Sequence, residues 1–391
     1  LYLLYMKKKI FLYAVLTALT ISSATGLPDP VTSPGPRKLD AESTTFEKLG
    51  LSVSNLVTGL DTPWDLVWGP DDYIWVTERP GLISRIDPET GNLTRIADIT
   101  VYERGESGLM GLVFDPGFEE NRYIFTAESH TVQGSIINQL VRYRYTGTGI
   151  EDRHVIIDNI PGNTYHDGAR LAIGPDKYIY MTTGDAGKST SAQDVDSLAG
   201  KILRIDRDGN PAPGNPFGNH VYSYGHRNAQ GMVFHPDTDK LFITEHGPQD
   251  NDEAAIVEAG QNHGWPQVHG FCDNDVSGER EFCRDNKITE PLAAWTPTIA
   301  PAGADFYTGD LIPEWRGDFL FVTLKGSALL RLQLKAENQI EAVQVISEDV
   351  YGRLRDVLVG PDGTIYIATS NRDGRGNPAS EDDRILAVRP E

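Results

Sequence analysis

One phrase recurs along this 391-residue chain. An apolar strand meets a tight turn built on Pro-Asp or Pro-Gly, a second strand rich in β-branched and aromatic residues follows, and a polar loop leads to a third strand. The copies lie at 64–87 (WDLVWGPDDYIWVTERPGLISRID), 108–129 with 139–145, 170–187 with 200–209, 230–248 with 252–260, 317–334 and 354–374 with 383–390. Only the fifth lacks the first turn. The turn prolines stand at 70, 116, 175, 236 and 361, a period of roughly 45 to 60 residues once the irregular copy is counted. A three- or four-stranded copy cannot bury both its faces alone, and stacking copies around an axis removes that problem. The 39 glycines and 24 prolines suit such a turn-rich chain. The expected fold is therefore all-β, a six-bladed β-propeller with its active site at one end of the central channel. A large β-sandwich would not explain so close a recurrence.

The formal charge of −21 argues against nucleic acid or an anionic membrane as a partner, since both require a basic face. It also makes any basic cluster inside the fold informative. Residues 7–24 (KKKIFLYAVLTALTISSA) read as an export signal. Three lysines precede an apolar run too short to span a bilayer, and Ser22 and Ala24 are small residues at the −3 and −1 positions of a cleavage site. Met6 is the expected start, so 1–5 are an upstream artefact and 1–24 the signal peptide. No transmembrane segment is expected in the mature chain. Residues 25–45, rich in Pro, Ser and Thr, read as a linker, and 46–391 as the propeller. Export places the protein in the periplasm or outside the cell, where the two cysteines, Cys272 and Cys283, are expected to pair.

In a propeller, loops at one end of the channel converge, so candidate residues can be collected by their position within each copy. Glu106 precedes the first strand of copy two, His166 that of copy three, Arg227 and Asn228 that of copy four. Thr298 precedes copy five, Arg353 and Arg355 open copy six, and Lys325 follows the strand 319–324. Taken singly, each reads as an ordinary surface polar group. Taken together, three arginines and a lysine around one channel form a positive pocket suited to a ligand with several carboxylates. His166 can serve as a general base near neutral pH, with Asp167 beside it to orient it. After the fourth copy's second strand, Gly247-Pro248 makes a rigid turn followed by Asp250, Asp252 and Glu253. Carbonyls and carboxylates of this kind are ligands for a hard cation such as Ca²⁺.

These residues fall in seven ordered motifs: GESGLMG (105–111), HDGARL (166–171), GHRNAQG (225–231), EHGPQDNDE (245–253), NHGWP (262–266), Leu324-Lys325 and RLRD (353–356). With them, residues 50–390 resemble the soluble glucose dehydrogenases that depend on pyrroloquinoline quinone (PQQ), and more closely their aldose sugar dehydrogenase relatives. The resemblance implies an enzyme that oxidises aldose sugars at C1 to aldonolactones and passes electrons to an external acceptor. In it His166 takes the proton from the C1 hydroxyl while the C1 hydride passes to the C5 carbonyl of PQQ, and Arg227 stabilises the charge that develops. Glu106, Arg227, Asn228, Thr298, Lys325, Arg353 and Arg355 would hold the cofactor, and the Gly247 and Pro248 carbonyls would hold Ca²⁺. A second Ca²⁺ is implied at His269, Phe271, Asp273 and Glu290. The chain departs from the glucose enzymes at Glu106 (Gln there), Tyr165 (Asp there) and Thr296 (an aromatic there), and its loops are shorter. These departures point to a broad aldose oxidiser. Two other readings are a lactonase-like propeller hydrolase using Ca²⁺ as Lewis acid, and a non-enzymatic propeller that recognises a protein or glycan. A largely cationic channel disfavours the first. The presence of His166, Arg227 and Lys325 together disfavours the second.

Overall fold

The computed structural model describes residues 41–335, 339–347 and 350–391. Six antiparallel sheets stand side by side, and their first strands touch in a closed ring. Blade one comprises Pro63–Trp68, Ile74–Glu78, Leu82–Ile86 and Leu93–Asp98, and blade two Leu109–Phe114, Tyr123–Val132, Ser135–Tyr145 and Ile150–Pro161. Blade three comprises Gly168–Ile173, Ile179–Thr183, Lys201–Ile205 and Val221–Tyr224, and blade four Ala229–Phe234, Leu241–Glu245, Asp252–Val257 and Ala293–Trp295. Blade five is Pro301–Phe306, Phe319–Thr323, Ala328–Leu334 and Ile340–Ser347; blade six contributes Leu354–Val359, Ile365–Thr369 and Ile385–Pro390. The six sequence copies are these six blades.

The ends of the propeller were not legible in the repeat. Blade six takes its fourth strand, Leu51–Val57, from the opposite end of the chain, antiparallel to Ile385–Pro390. Such a strand closes the ring with backbone hydrogen bonds. The linker expected over 25–45 is corrected at its end: Ala41–Thr44 pairs in parallel with Ile340–Ser347 and makes blade five five-stranded. The unpaired edge of that outer strand offers hydrogen bonds that even a polar segment can take. The expected signal peptide and the rest of the linker lie outside the described residues.

The second strands of blades one, three, four, five and six are buried at every residue. Neighbouring blades cover both their faces, which is why each of these strands opens on at least three consecutive apolar residues. Packing between blades one and two shows the pattern, with Trp75 edge-on to Phe114 and Tyr145 at 5.2 and 5.0 Å. Polar groups stitch the inner strands together. Asp65 accepts the Leu112 N–H of the next blade, Asp356 accepts that of Leu66, and Asp305 that of Val359. Arg170 bridges Asp65 and Asp356 across the channel and is itself buried. Two motif glycines mark how closely the blades approach. A Cβ on Gly111 would lie 2.4 Å from the Ala169 carbonyl oxygen, and one on Gly231 would lie 2.4 Å from that of Ala302, distances no side chain tolerates.

Every first strand begins with a register shift against the second. A bulge at a strand end re-aims the chain before it. Here it leaves the loop entering each blade at the mouth of the channel.

Candidate active site

The loops meet in a cavity of about 630 Å³ at one end of the channel. Glu106, His166, Arg227, Thr298 and Arg353 line it from the entries to blades two to six, together with Gly247, Pro248 and Lys325 from the ends of second strands. The matched register therefore brings eight of the expected residues to one wall. The same wall contains Tyr165, His246 and Arg375.

His166 has a left-handed backbone (φ 60°), and its N–H donates to Glu106 Oε2 at 3.0 Å. Its Nδ1 lies 2.7 Å from Asp185 Oδ1. Asp185 is buried and also accepts the Gly187 N–H (2.8 Å) and the Trp265 indole N–H (2.9 Å). Burial pushes the Asp185 carboxyl up, but these donors and the field of His166 outweigh it and hold it below the usual carboxylate range. An ionised carboxylate only accepts, so Nδ1 carries the ring proton and Nε2 remains a base with no hydrogen-bond partner among the described residues. The orienting role expected of Asp167 is corrected. The backbone at His166 is left-handed rather than extended, and Asp167 turns inward to accept from Asn138 Nδ2 (2.9 Å) and Asn163 N (3.0 Å). Burial pushes its pKa up to about 6.

The cations divide into compensated and uncompensated ones. Arg353 donates twice to Asp373 Oδ2, at 2.9 and 2.7 Å, and Arg375 pairs with Glu106 Oε1 at 3.0 Å. The Lys325 ammonium is exposed and makes no ion pair among the described residues. Arg227 lies over the Trp265 ring, 5.3 Å from its centroid, and donates to the His246 carbonyl at 3.2 Å, while its buried Nε has no partner. Burial pulls its pKa down.

Arg355 does not line the main cavity. It opens on a small chamber beneath, shared with Glu106, His246 and Arg353. Only 8% exposed, its side chain makes no hydrogen bond or ion pair among the described residues and stands over the Trp64 ring at 4.7 Å. Burial pulls its pKa down to about 9. Asn228 is also absent from the cavity wall. It is fully buried, its Oδ1 accepting from Gly168 N (3.1 Å) and Gln230 Nε2 (2.9 Å), so it supports the site from below.

Gly247 and Pro248 lie in the wall with carbonyls that accept no hydrogen bond among the described residues. Two of the three carboxylates that follow them are already engaged. Asp252 accepts from Gly247 N (2.8 Å), Thr298 Oγ1 (2.7 Å), Ile299 N (2.6 Å) and Ala300 N (2.7 Å). Glu253 accepts from Gly270 N, and burial pushes its carboxyl well up. A cation here would therefore meet carbonyls rather than this cluster.

The second expected metal set falls in the excursion 258–292 between the last two strands of blade four, where Cys272 and Cys283 are disulfide-bonded with Cα atoms 6.2 Å apart. The Phe271 carbonyl accepts from Asp273 N, the Asp273 carboxylate from Asp275 N, and Glu290 from Cys272 N. The His269 N–H donates to Glu279. Among the described residues no three His, Cys, Asp or Glu side chains gather as a metal cluster. Phe271, Asp273 and Glu290 thus take part in turn hydrogen bonds, while the His269 carbonyl accepts none among the described residues.

Asp185, His246, Trp265 and Arg375 escaped the sequence reading. Asp185 follows its second strand in the same register as Gly247 and Lys325, so reading that position in every copy would have found it; His246 lies one position earlier. Trp265 sits in an excursion without a counterpart in other blades.

The fold and site thus define a six-bladed propeller whose channel mouth carries an oriented imidazole beside uncompensated guanidinium charge. The profile of the glucose/sorbosone dehydrogenase family matches residues 60–378, and the chain belongs to that family of oxidoreductases. A Thermus thermophilus structure described as an oxidoreductase (glucose dehydrogenase) superposes with a TM-score of 0.77 at 40% identity, covering 86% of this chain and 99% of that one. The PQQ-bound aldose sugar dehydrogenase of Streptomyces coelicolor superposes with a TM-score of 0.75 at 34% identity, covering 87% and 98%. Quinoprotein glucose dehydrogenase B of Acinetobacter calcoaceticus is 28% identical, over 95% of this chain and 94% of its own. No helix among the described residues is long and apolar enough to cross a membrane.

Proposed function

We propose that the chain is an exported, PQQ- and Ca²⁺-dependent dehydrogenase that oxidises aldoses at C1 to aldonolactones and passes electrons to an external acceptor. The observation that carries this reading is a pair of guanidiniums that make no ion pair among the described residues, the buried Arg355 and the half-buried Arg227 whose Nε has no partner, next to an imidazole whose Nδ1 is committed to Asp185. A buried cation without a counter-ion costs several kcal/mol, and a ligand with several carboxylates removes that cost. The residues therefore fit PQQ. Arg227, Arg355, Arg353 and Lys325 would meet its acidic groups, Thr298 and Glu106 would flank it, and the Gly247 and Pro248 carbonyls would hold the Ca²⁺.

PQQ, when bound, supplies a quinone that accepts a hydride. The protein supplies the rest. His166 Nε2 accepts the proton of the sugar C1 hydroxyl, and Asp185 stabilises the imidazolium that results. Two electrons and two protons leave the sugar as it becomes the lactone. The Arg227 cation would stabilise the negative charge that grows during the transfer, and a preorganised charge in a partly desolvated site acts strongly. Tyr165 stands edge-on to the His166 ring with centroids 4.8 Å apart and gives the sugar an aromatic edge to pack against. The disulfide and the apolar leader sequence both suit export.

The test is aldose-dependent dye reduction by protein stripped of metal and cofactor. Reduction that requires both PQQ and Ca²⁺, and falls by orders of magnitude in His166→Ala with PQQ still bound, supports the reading. Turnover without PQQ would overturn it.

A further inference from the structure

The NHGWP motif has no part in the chemistry above, yet its tryptophan touches two of the groups that do. The Trp265 indole N–H donates to Asp185 Oδ2 at 2.9 Å. One ring face meets the Arg227 guanidinium, 5.3 Å from its centroid. The ring also stacks on His269, with centroids 5.1 Å apart and planes 27° apart.

The backbone of the same residue is tied to two blades. Its N–H donates to Gly225 O at the entry to blade four (3.0 Å). Its carbonyl accepts from Gln193 Nε2 (2.7 Å), on the blade-three loop that also carries Asp185. Gln193 and Asn262 lock that junction with reciprocal amide bonds of 2.9 and 2.8 Å.

We propose that Trp265 is a positioning residue that sets the carboxylate behind the base and the Arg227 cation in a single register. The inference rests on the proposed role of His166. Asp185 has donors on both oxygens. Oδ1 is shared by His166 Nδ1 and Gly187 N–H, and Oδ2 is held by the indole. With Oδ2 held, the carboxylate cannot rotate, and the plane of the imidazole is fixed. Under Arg227 the same ring gives a guanidinium with an unpartnered Nε a surface to rest on, an attraction that survives partial desolvation. Glu106 accepts the His166 N–H, Arg227, Lys325, Arg353 and Arg375 line the same cavity, and Tyr165 stands edge-on to the ring.

The first test uses cofactor-free wild-type protein and needs no turnover. In ¹⁵N-labelled protein the Trp265 indole N–H resonance, assigned with Trp265→Phe, is followed against pH beside the His166 ring signals, assigned with His166→Gln. The proposal expects the indole signal to move with the His166 midpoint, because both donors share one carboxylate. An indole signal that stays still while His166 titrates would overturn it. This result stands whether or not the protein proves to use PQQ, so it separates failure of this inference from failure of the functional reading.

Two variants then divide the roles. Trp265→Phe keeps a ring under Arg227 and removes the donor. It should lower kcat by roughly tenfold, the equivalent of one charge-assisted hydrogen bond, with PQQ affinity within about threefold and a shifted acid limb in the kcat profile. Trp265→Leu should in addition weaken PQQ by about tenfold through the loss of the ring face. Equal kcat and an unmoved pH profile in folded Trp265→Phe would show that the tryptophan only packs. Should neither variant fold, the wild-type indole titration decides.

Discussion

Replacing Asp185 with asparagine probes the base at its hinge. The carboxylate receives three N–H donors, from His166, Gly187 and Trp265. An asparagine has one acceptor oxygen, so its NH₂ must face either the imidazole or the indole. If it faces the indole, two donors oppose each other at about the 2.9 Å of the present contact. If it faces the imidazole, Nδ1 becomes the acceptor and the proton moves to Nε2, where it blocks proton uptake from the sugar. Loss of a hydrogen bond to a charged group costs about 1.5–3 kcal/mol, or roughly 10- to 150-fold in rate. An inverted tautomer at a catalytic imidazole costs up to ~10⁴. The expected result is a fall in kcat/KM of about 10² to 10⁴ in the PQQ- and Ca²⁺-loaded enzyme. PQQ affinity should change far less than kcat/KM, since Lys325, Arg353 and Arg355 keep their places and Asp185 acts on Arg227 only through its field and Trp265. Dye-coupled initial rates and a PQQ titration measure both. Activity within threefold of wild type would refute the claim that Asp185 sets the protonation of His166.

Three further perturbations test the scaffold. Arg170→Met leaves Asp65 and Asp356 facing each other in the channel and should cost about 3–5 kcal/mol at pH 7. Burial and Asp356 already lift Asp65 to about 7 against the pull of Arg170. Folding then holds the Asp65 carboxyl above its unfolded pKa, so the deficit should shrink as pH falls towards 4 in denaturant melts. Glu128 is fully buried with Thr126, His130, Tyr143 and Arg153 as partners. Burial raises its carboxyl, but those partners together hold it below the usual range. Its contribution is therefore complete above the unfolded value and lost as pH falls through the folded one. Glu128→Gln should destabilise by about 2–3 kcal/mol at neutral pH, and the gap from wild type should close in acid. The Cys272–Cys283 bridge spans 11 residues, and its removal should cost about 3 kcal/mol by loop entropy. Because the bridge closes the excursion that carries Trp265, kcat should drop more than PQQ affinity does; equal losses would contradict this.

The blades were legible because each repeats a buried second strand and a proline turn, and a period survives irregular loops. Eight site residues were legible for the same reason, since the bulge that begins each inner strand turns the same position over the channel. What escaped lacked a period. Leu51–Val57 and Ala41–Thr44 belong to blades whose other strands lie some 300 residues away in sequence, and no local pattern announces such pairing. Asp167 adjoins His166 in sequence but not in space: the chain is left-handed at His166, and it is Asp185, from the loop after the second strand of blade three, that meets the ring. The acidic run at Asp252 and Glu253 suggested cation ligands, yet those carboxylates hold backbone N–H groups, a use the sequence does not distinguish. Asn228 and Arg355 sit one layer below the cavity, a depth that register alone does not give.

The most direct measurement is a titration of the stripped, folded protein with PQQ, with and without Ca²⁺, followed by cofactor absorbance and then by one addition of an aldose under anaerobic conditions. Saturable binding at one PQQ per chain, strengthened by Ca²⁺, weakened in Arg355→Met and followed by bleaching of the bound cofactor when sugar is added, is the predicted result. A folded protein that binds no PQQ, or binds it equally well without Arg355, would contradict the account.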